Sequence, residues 1–200
     1  MSVDSLSKPL SVDQIEFRVQ SINDGGYATI LAYKNARVDM ERLDEAVGRM
    51  NWTRVHTREN ANCTVSIWDN SKSQWVGKED TGTRSAAEAE KGLASDSFKR
   101  ACFNWGIGRE LYDYPFIQVK LKDDEWTKDP KPKGTWKLKP GNWIWFSQFE
   151  EGQLSFLAAK DDKSLRFKWG SFKRYAPASL PEVMAPEELK IYNQNAASSV

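Results

Sequence analysis

The sequence predicts an α+β fold: an antiparallel β-β-β-α core with a long helix packed on the sheet, followed by a β-rich extension. Three observations lead there. Three short strand-like runs follow one another across residues 52–78, joined at Glu59-Asn60 and Asp69-Asn70-Ser71, which are hairpin signals. A long segment of helical period comes next, over residues 85–105. Four further strand-like runs then reach residue 169.

The elements follow in order. Ser11-Val12-Asp13-Gln14 reads as a helix start, with Ser11 as cap and Gln14 closing the box, and Ile15, Val19 and Ile22 as the apolar stripe. Asn23-Asp24-Gly25-Gly26 breaks it. Residues 27–33 read as a strand, and 38–50 as a short amphipathic helix with Leu43, Val47 and Met50 inward. Strands are expected at 52–57, 63–68 and 74–78, forming a central sheet under the long helix.

On that helix Ala94, Phe98, Ala101, Cys102 and Trp105 fall on one face, which must be buried. Arg84, Lys91, Ser95 and Lys99 fall within an arc of roughly 80° beside it, and Arg100 points nearly opposite Lys91. The extension offers strands at 116–121, 143–149, 154–159 and 165–169, with turns at Glu150-Glu151-Gly152 and Asp161-Asp162-Lys163 that suggest a meander. Residues 129–134 read as a loop. From Ala176 the chain turns Pro-, Ser- and Ala-rich, so a domain over 1–175 and a flexible tail over 176–200 are expected, the tail with a short helix near 187–192.

Composition narrows the function classes. The 29 basic and 28 acidic residues nearly cancel, so any polyanion site must come from local distribution. Two basic runs exist: seven Lys against four acids over 120–139, and six basic residues against two acids over 160–174. Each is either a solvated face or a binding surface. Cys63 and Cys102 lack CxxC spacing and read as buried free thiols in a reducing, cytoplasmic setting. No apolar run approaches the ~18 residues of a membrane helix, and the N-terminus does not read as a secretory signal. Trp143 and Trp145, two residues apart in a strand, share a face and act together.

Candidate chemistry is sparse. Residues 77–83 open between strand and helix like a phosphate-binding loop, but Thr83 stands where lysine is needed, and Glu79 and Asp80 lie inside; no ATPase is expected. His56 is the only histidine and reads as structural. Asp69, Glu79, Asp80 and Asp96 show no spacing that demands a shared metal, so no metal, cofactor or catalytic residue is assigned. Gly106-Ile107-Gly108-Arg109 either caps the helix or lets the backbone approach a neighbour or a phosphate. The basic helix flank is either a solvated face or a polyanion site, with nucleic acid the first candidate.

Lys91-Gly92-Leu93-Ala94-Ser95-Asp96 followed by Phe98-Lys99-Arg100-Ala101 resembles the signature helix of the Rad52 family of single-strand annealing proteins. Trp105-Gly106-Ile107-Gly108-Arg109-Glu110-Leu111-Tyr112 resembles the following turn in its bacterial and phage branch, which includes DdrA and the phage Sak-type recombinases. The segment from Arg42 to Gly48, then Asn51-Trp52, also fits, so the likeness covers residues 15–115. It implies assembly into rings or helical oligomers with a basic groove for single-stranded DNA, working without ATP and without catalysis.

Carried over by position, the resemblance makes Lys99 and Arg100 the Lys-Arg pair, with Lys99 in the groove. Arg18 matches a DNA-contacting arginine ahead of the first strand. Lys78 and Arg84 lie near a second set of contacts, and Lys91 and Arg109 complete the candidates. Phe103 departs from the family, which has a basic residue there, and is a candidate for a subunit contact. The expectation is annealing of complementary strands in recombination or repair, with single-stranded DNA, further copies of the chain and a host single-strand-binding protein as partners. Coating of DNA ends without annealing, a metal-dependent nuclease and a protein-interaction domain remain alternatives.

Overall fold

Residues 15–22 alternate apolar Ile15, Phe17 and Val19 with polar Glu16, Arg18 and Gln20, and in the computed structural model they form strand β1 (Ile15–Ile22). This corrects the helix expected there. The capping residues hold only a turn of 3-10 helix (Val12–Gln14), in which the Ser11 amide donates to Gln14 Oε1 at 3.2 Å. The period-two pattern prevails because β1 pairs antiparallel with β2 (Tyr27–Lys34), Ile15 opposite Lys34 and Ile22 opposite Ala28. The structure describes residues 3–83, 89–126 and 139–173. The chain divides into a unit of Met1–Gly170, to which the strands and helices below belong, and a second of Ser171–Val200.

The Asn23-to-Gly26 segment is the hairpin turn, with Asn23 Oδ1 accepting from the Tyr27 amide at 3.0 Å. Gly26, at φ +73°, is required: a Cβ there would lie 2.6 Å from the Trp126 ring. Helix α1 (Ala36–Val47) is capped by Asn35, whose side chain accepts from the Arg37 amide, and it buries Val38, Leu43, Ala46 and Val47. It ends at Gly48, so Met50 falls beyond the stripe and is 88% exposed rather than inward.

The expected β-β-β-α order follows: β3 (Trp52–Thr57), β4 (Asn62–Asp69), β5 (Gln74–Thr81) and α2 (Ala89–Asn104). Three strands, in the order β3-β4-β5, form their own sheet. Strand β2 is excluded from it, because its free edge pairs with β6 (Ile117–Lys120), Tyr27 opposite Lys120. Of the four strands expected in the extension, the first is β6, which joins β1 and β2 instead, and the other three form the expected meander, β7 (Ile144–Glu150), β8 (Gln153–Lys160) and β9 (Leu165–Gly170). Among the described residues there are thus three three-stranded antiparallel sheets and two α-helices.

Two apolar cores result. One lies between the β3-β4-β5 sheet and the helices, around Leu43, Val65, Ile67, Phe98 and Cys102. The other joins the first sheet to the third, around Phe17, Ile30, Val119, Trp145 and Leu157. Phe17 and Trp145 stack face to face with centroids 3.6 Å apart. Trp143 and Trp145 do sit together, at 6.1 Å, but Trp145 is buried, so the pair serves the core.

A buried ion pair ties the first sheet to both helices. Lys34, the last residue of β2, binds Asp39 in the first turn of α1 and donates to the Ile107 carbonyl at 2.6 Å, beyond α2. Both side chains are almost wholly buried. Burial raises the Asp39 carboxyl to about 6 against the attraction of Lys34 and Lys99. Because the folded value lies above the unfolded one, its contribution to stability is greatest below the ordinary carboxylate range and is lost as pH rises through about 6.

Removing one partner leaves the other charge buried without compensation. Asp39→Ala is therefore expected to cost ~3–5 kcal/mol in urea-induced unfolding, whereas the double change Lys34→Met with Asp39→Leu costs less than that single one. A double variant no better than the single one would show that the pair is not what holds this junction.

Candidate nucleic-acid interface

Helix α2 is placed by backbone contact as well as by apolar packing. A Cβ on Gly82, just after β5, would lie 2.7 Å from the Ser97 amide nitrogen and 2.9 Å from the Leu93 carbonyl oxygen. Glycine there lets the end of β5 touch the helix, and Thr83 then donates to Asp96 through its amide (2.8 Å) and hydroxyl (3.2 Å). The glycine spacing of residues 77–83 includes this packing contact. Phe98, Ala101 and Cys102 are buried as expected; Ala94 and Trp105 are half-buried, and Leu93 and Ser97 widen the buried arc.

The candidate cations separate into two groups. Lys99 is half-buried on α2, its charge acts on Asp39, and among the described residues it has no hydrogen-bond or ion-pair partner. Arg18 lies on the exposed side of β1, its guanidinium 5.0 Å from the Tyr33 ring centroid. The Tyr33 hydroxyl in turn donates to Glu16 at 2.6 Å, and burial together with Glu16 raises its pKa.

The others are engaged with the protein. Arg100 binds Asp96 at 3.1 Å, one helical turn back. Burial pushes the Asp96 carboxyl up, but Thr83 and Arg100 outweigh it and hold it low. Lys78 donates to the Asn104 carbonyl at 2.8 Å and lies over the Trp105 ring. Arg109 donates to the carbonyls of Phe103 (2.9 Å) and Asn104 (3.2 Å). Lys78 and Arg109 thus satisfy the last carbonyls of α2, where the negative end of the helix dipole favours cations. The Lys91 side chain and Arg84 lie outside the described residues.

The two-glycine turn serves both capping and close approach. The Gly106 amide donates to the Phe103 carbonyl, and Gly106 and Gly108 have φ of +100° and +71°. A Cβ on Gly108 would lie 2.9 Å from the Lys34 side chain, so the neighbour the turn approaches is a lysine. Phe103 faces the same lysine, whose ammonium is 4.1 Å from the ring centroid, while Tyr112 packs on Phe103 at 4.8 Å.

The basic runs are partly neutralised within the chain. Arg166 binds Glu125 (2.6 Å) and Asp161 (2.7 Å), Lys122 binds Asp161 (2.8 Å), and Lys120 bonds to the Gly25 carbonyl. Burial pushes the Asp161 carboxyl up, but Lys122, Arg166 and two backbone amides outweigh it and hold it well below the usual range. Residues 127–138, the middle of the first run, lie outside the described residues, as does the tail over 176–200.

The enzymatic candidates have local partners. His56 Nδ1 is 3.4 Å from the Ser97 hydroxyl, which donates to the Asn60 and Ala94 carbonyls, and burial followed by Arg54 lowers its pKa. Asp69 holds the Ser71-Lys72 turn, Glu79 accepts from Asn62 and Thr64, and Asp80 accepts from Asn104. Among the described residues no three His, Cys, Asp or Glu side chains converge as a metal site. Cys63 and Cys102 are buried free thiols, and burial raises Cys63 to about 11. Among the described residues no helix is long and apolar enough to cross a membrane.

Sequence reasoning missed Lys34 and Arg54. Lys34 ends an apolar strand and gives no sign of burial. Arg54 could have been found from strand parity, since it alternates with Trp52 and His56 toward the helix side of β3.

The family model described as Rad52/22 family double-strand break repair protein matches residues 3–129. That span holds β1–β6 and both helices, and β7–β9 lie beyond it. Comparison with curated proteins and with solved structures gives no match.

Because Lys78 and Arg109 cap α2, replacing each by alanine is expected to lower stability by about 0.3–1 kcal/mol. Circular-dichroism melting checks this; an unchanged midpoint in the double variant would rule out the capping role.

Proposed function

The chain belongs to the Rad52/22 family of double-strand break repair proteins, and we propose that it binds single-stranded DNA and anneals complementary strands, as a homo-oligomer and without ATP. Membership carries the role in DNA repair and recombination. The observation that carries the residue-level reading is Lys99: it lies in the matched part of α2 and has no polar partner among the described residues, whereas Arg100, Lys78 and Arg109 are held by the protein.

Lys99 and Arg18 are the proposed phosphate contacts. Arg100, Lys78 and Arg109 keep α2 and its closing turn in shape, and Arg84 and Lys91 are further proposed contacts. Phosphate contacts of this kind give sequence-independent, salt-sensitive affinity and hold a strand with its bases free to pair. Repetition round a ring or helical oligomer turns a modest patch per subunit into a continuous track, which suits a chain of net charge +1. The bacterial and phage branch is the proposed affiliation, supported by the turn from Trp105 to Tyr112.

Lys99→Ala is expected to weaken binding to every single-stranded sequence alike and to reduce the salt slope by about 0.7 per lost phosphate contact. Fluorescence anisotropy with labelled oligonucleotides reads both. Annealing of complementary oligonucleotides without ATP, with electron micrographs of the assembly, tests the rest. Wild-type binding without annealing would leave end protection as the function, and a Lys99→Ala variant that binds and anneals normally would sink the role of Lys99.

A further inference from the structure

Arg54 is an exposed cation on the helix side of β3, and among the described residues it has no hydrogen-bond or ion-pair partner. Its guanidinium carbon lies 4.6 Å from the centroid of the Phe98 ring, and Phe98 itself is fully buried. Its charge reaches its neighbours on that face, lowering the pKa of His56 and counteracting the rise at Cys63. Helix α2 packs mainly across β4 and β5, and on its face of the edge strand β3 Trp52 and His56 are half-buried while Arg54 is exposed beside the helix.

Stacking sets how such a group can bind. A guanidinium held over a ring face leaves N–H donors free to point outward. The ring therefore orients the fork without consuming a donor, and an oriented fork loses less freedom on taking a phosphate. Lys99 is the next residue along α2 from Phe98, rotated by about 100° round the helix. Phe98 thus carries the β3 arginine over its ring and is followed in α2 by the lysine.

Resting on the single-stranded DNA reading above, we infer that Arg54 is a further phosphate ligand, acting with Lys99 beside Phe98, and that the bound strand runs along the margin between α2 and β3.

The test compares wild type, Arg54→Gln, Arg54→Lys and Lys99→Ala in binding to labelled oligo(dT) across a salt series, with a thermal melt of each. Arg54→Gln is expected to weaken binding by about three- to tenfold at low salt and to lower the salt slope by about 0.7. Arg54→Lys should keep the slope while binding less tightly than wild type, since it keeps the charge and loses the fork. If Arg54→Gln matches wild type in affinity and slope while Lys99→Ala is weakened, the inference about Arg54 fails and the annealing reading stands. If Arg54→Gln melts several degrees lower, its role is structural and the inference also fails. If wild type does not bind oligo(dT) at low salt, both fall together.

Discussion

A lysine and an aspartate buried against each other hold the parts of this molecule in register. Lys34 closes β2, Asp39 opens α1, and the Lys34 ammonium also takes up the Ile107 carbonyl just beyond α2. The first sheet and the two helices are therefore joined by one charged group rather than by apolar contact alone. Its surroundings are shaped to it: Phe103 offers its ring face to the ammonium, and Gly108 removes the Cβ that would strike the lysine stem. A cation at position 103 would meet the buried ammonium of Lys34, which gives a physical reason for the phenylalanine where the family resemblance leads one to expect a basic residue.

The same economy governs the other charges. A chain with nearly equal numbers of acids and bases can still offer a cationic path if the acids are occupied elsewhere. Here Asp96 is taken by Thr83 and Arg100, Asp161 by Lys122 and Arg166, and Asp80 by Asn104. Cations such as Lys99, Arg18 and Arg54 face no such partner among the described residues. Net charge thus says little about the surface a polyanion would meet; local pairing decides it.

Much of the fold was legible because its signals are local. Hairpin turns, alternation in β3–β5 and the helical period of α2 each sit within one short window, and the corresponding elements were found close to their bounds. The error at residues 11–22 arose where a good capping box precedes a segment that fits both periods, and pairing with β2 settled it. Membership of sheets was not legible, since β2 could be assigned away from β3 only by knowing that β6 returns to its edge. For the proposed site, helical projection already set Lys99 and Arg100 on different sides of α2, but the capping contacts of Lys78 and Arg109 depend on where β5 and the closing turn meet α2. Arg54 needed both a strand register and the position of Phe98.

The stack of Phe17 on Trp145 crosses from the part of the chain that the family shares to the part that lies beyond the match. Around it Ile30, Ile117 and Val119 of the first sheet are sealed by Leu154, Leu157 and Ala159 of the third. The limit of family likeness is therefore not a seam in the molecule. A chain cut after residue 129 would present one whole side of its first sheet, apolar and aromatic, to water. What looks like an appendix to the shared architecture is the lid of its second core, and the smallest self-sufficient piece of this protein must include it.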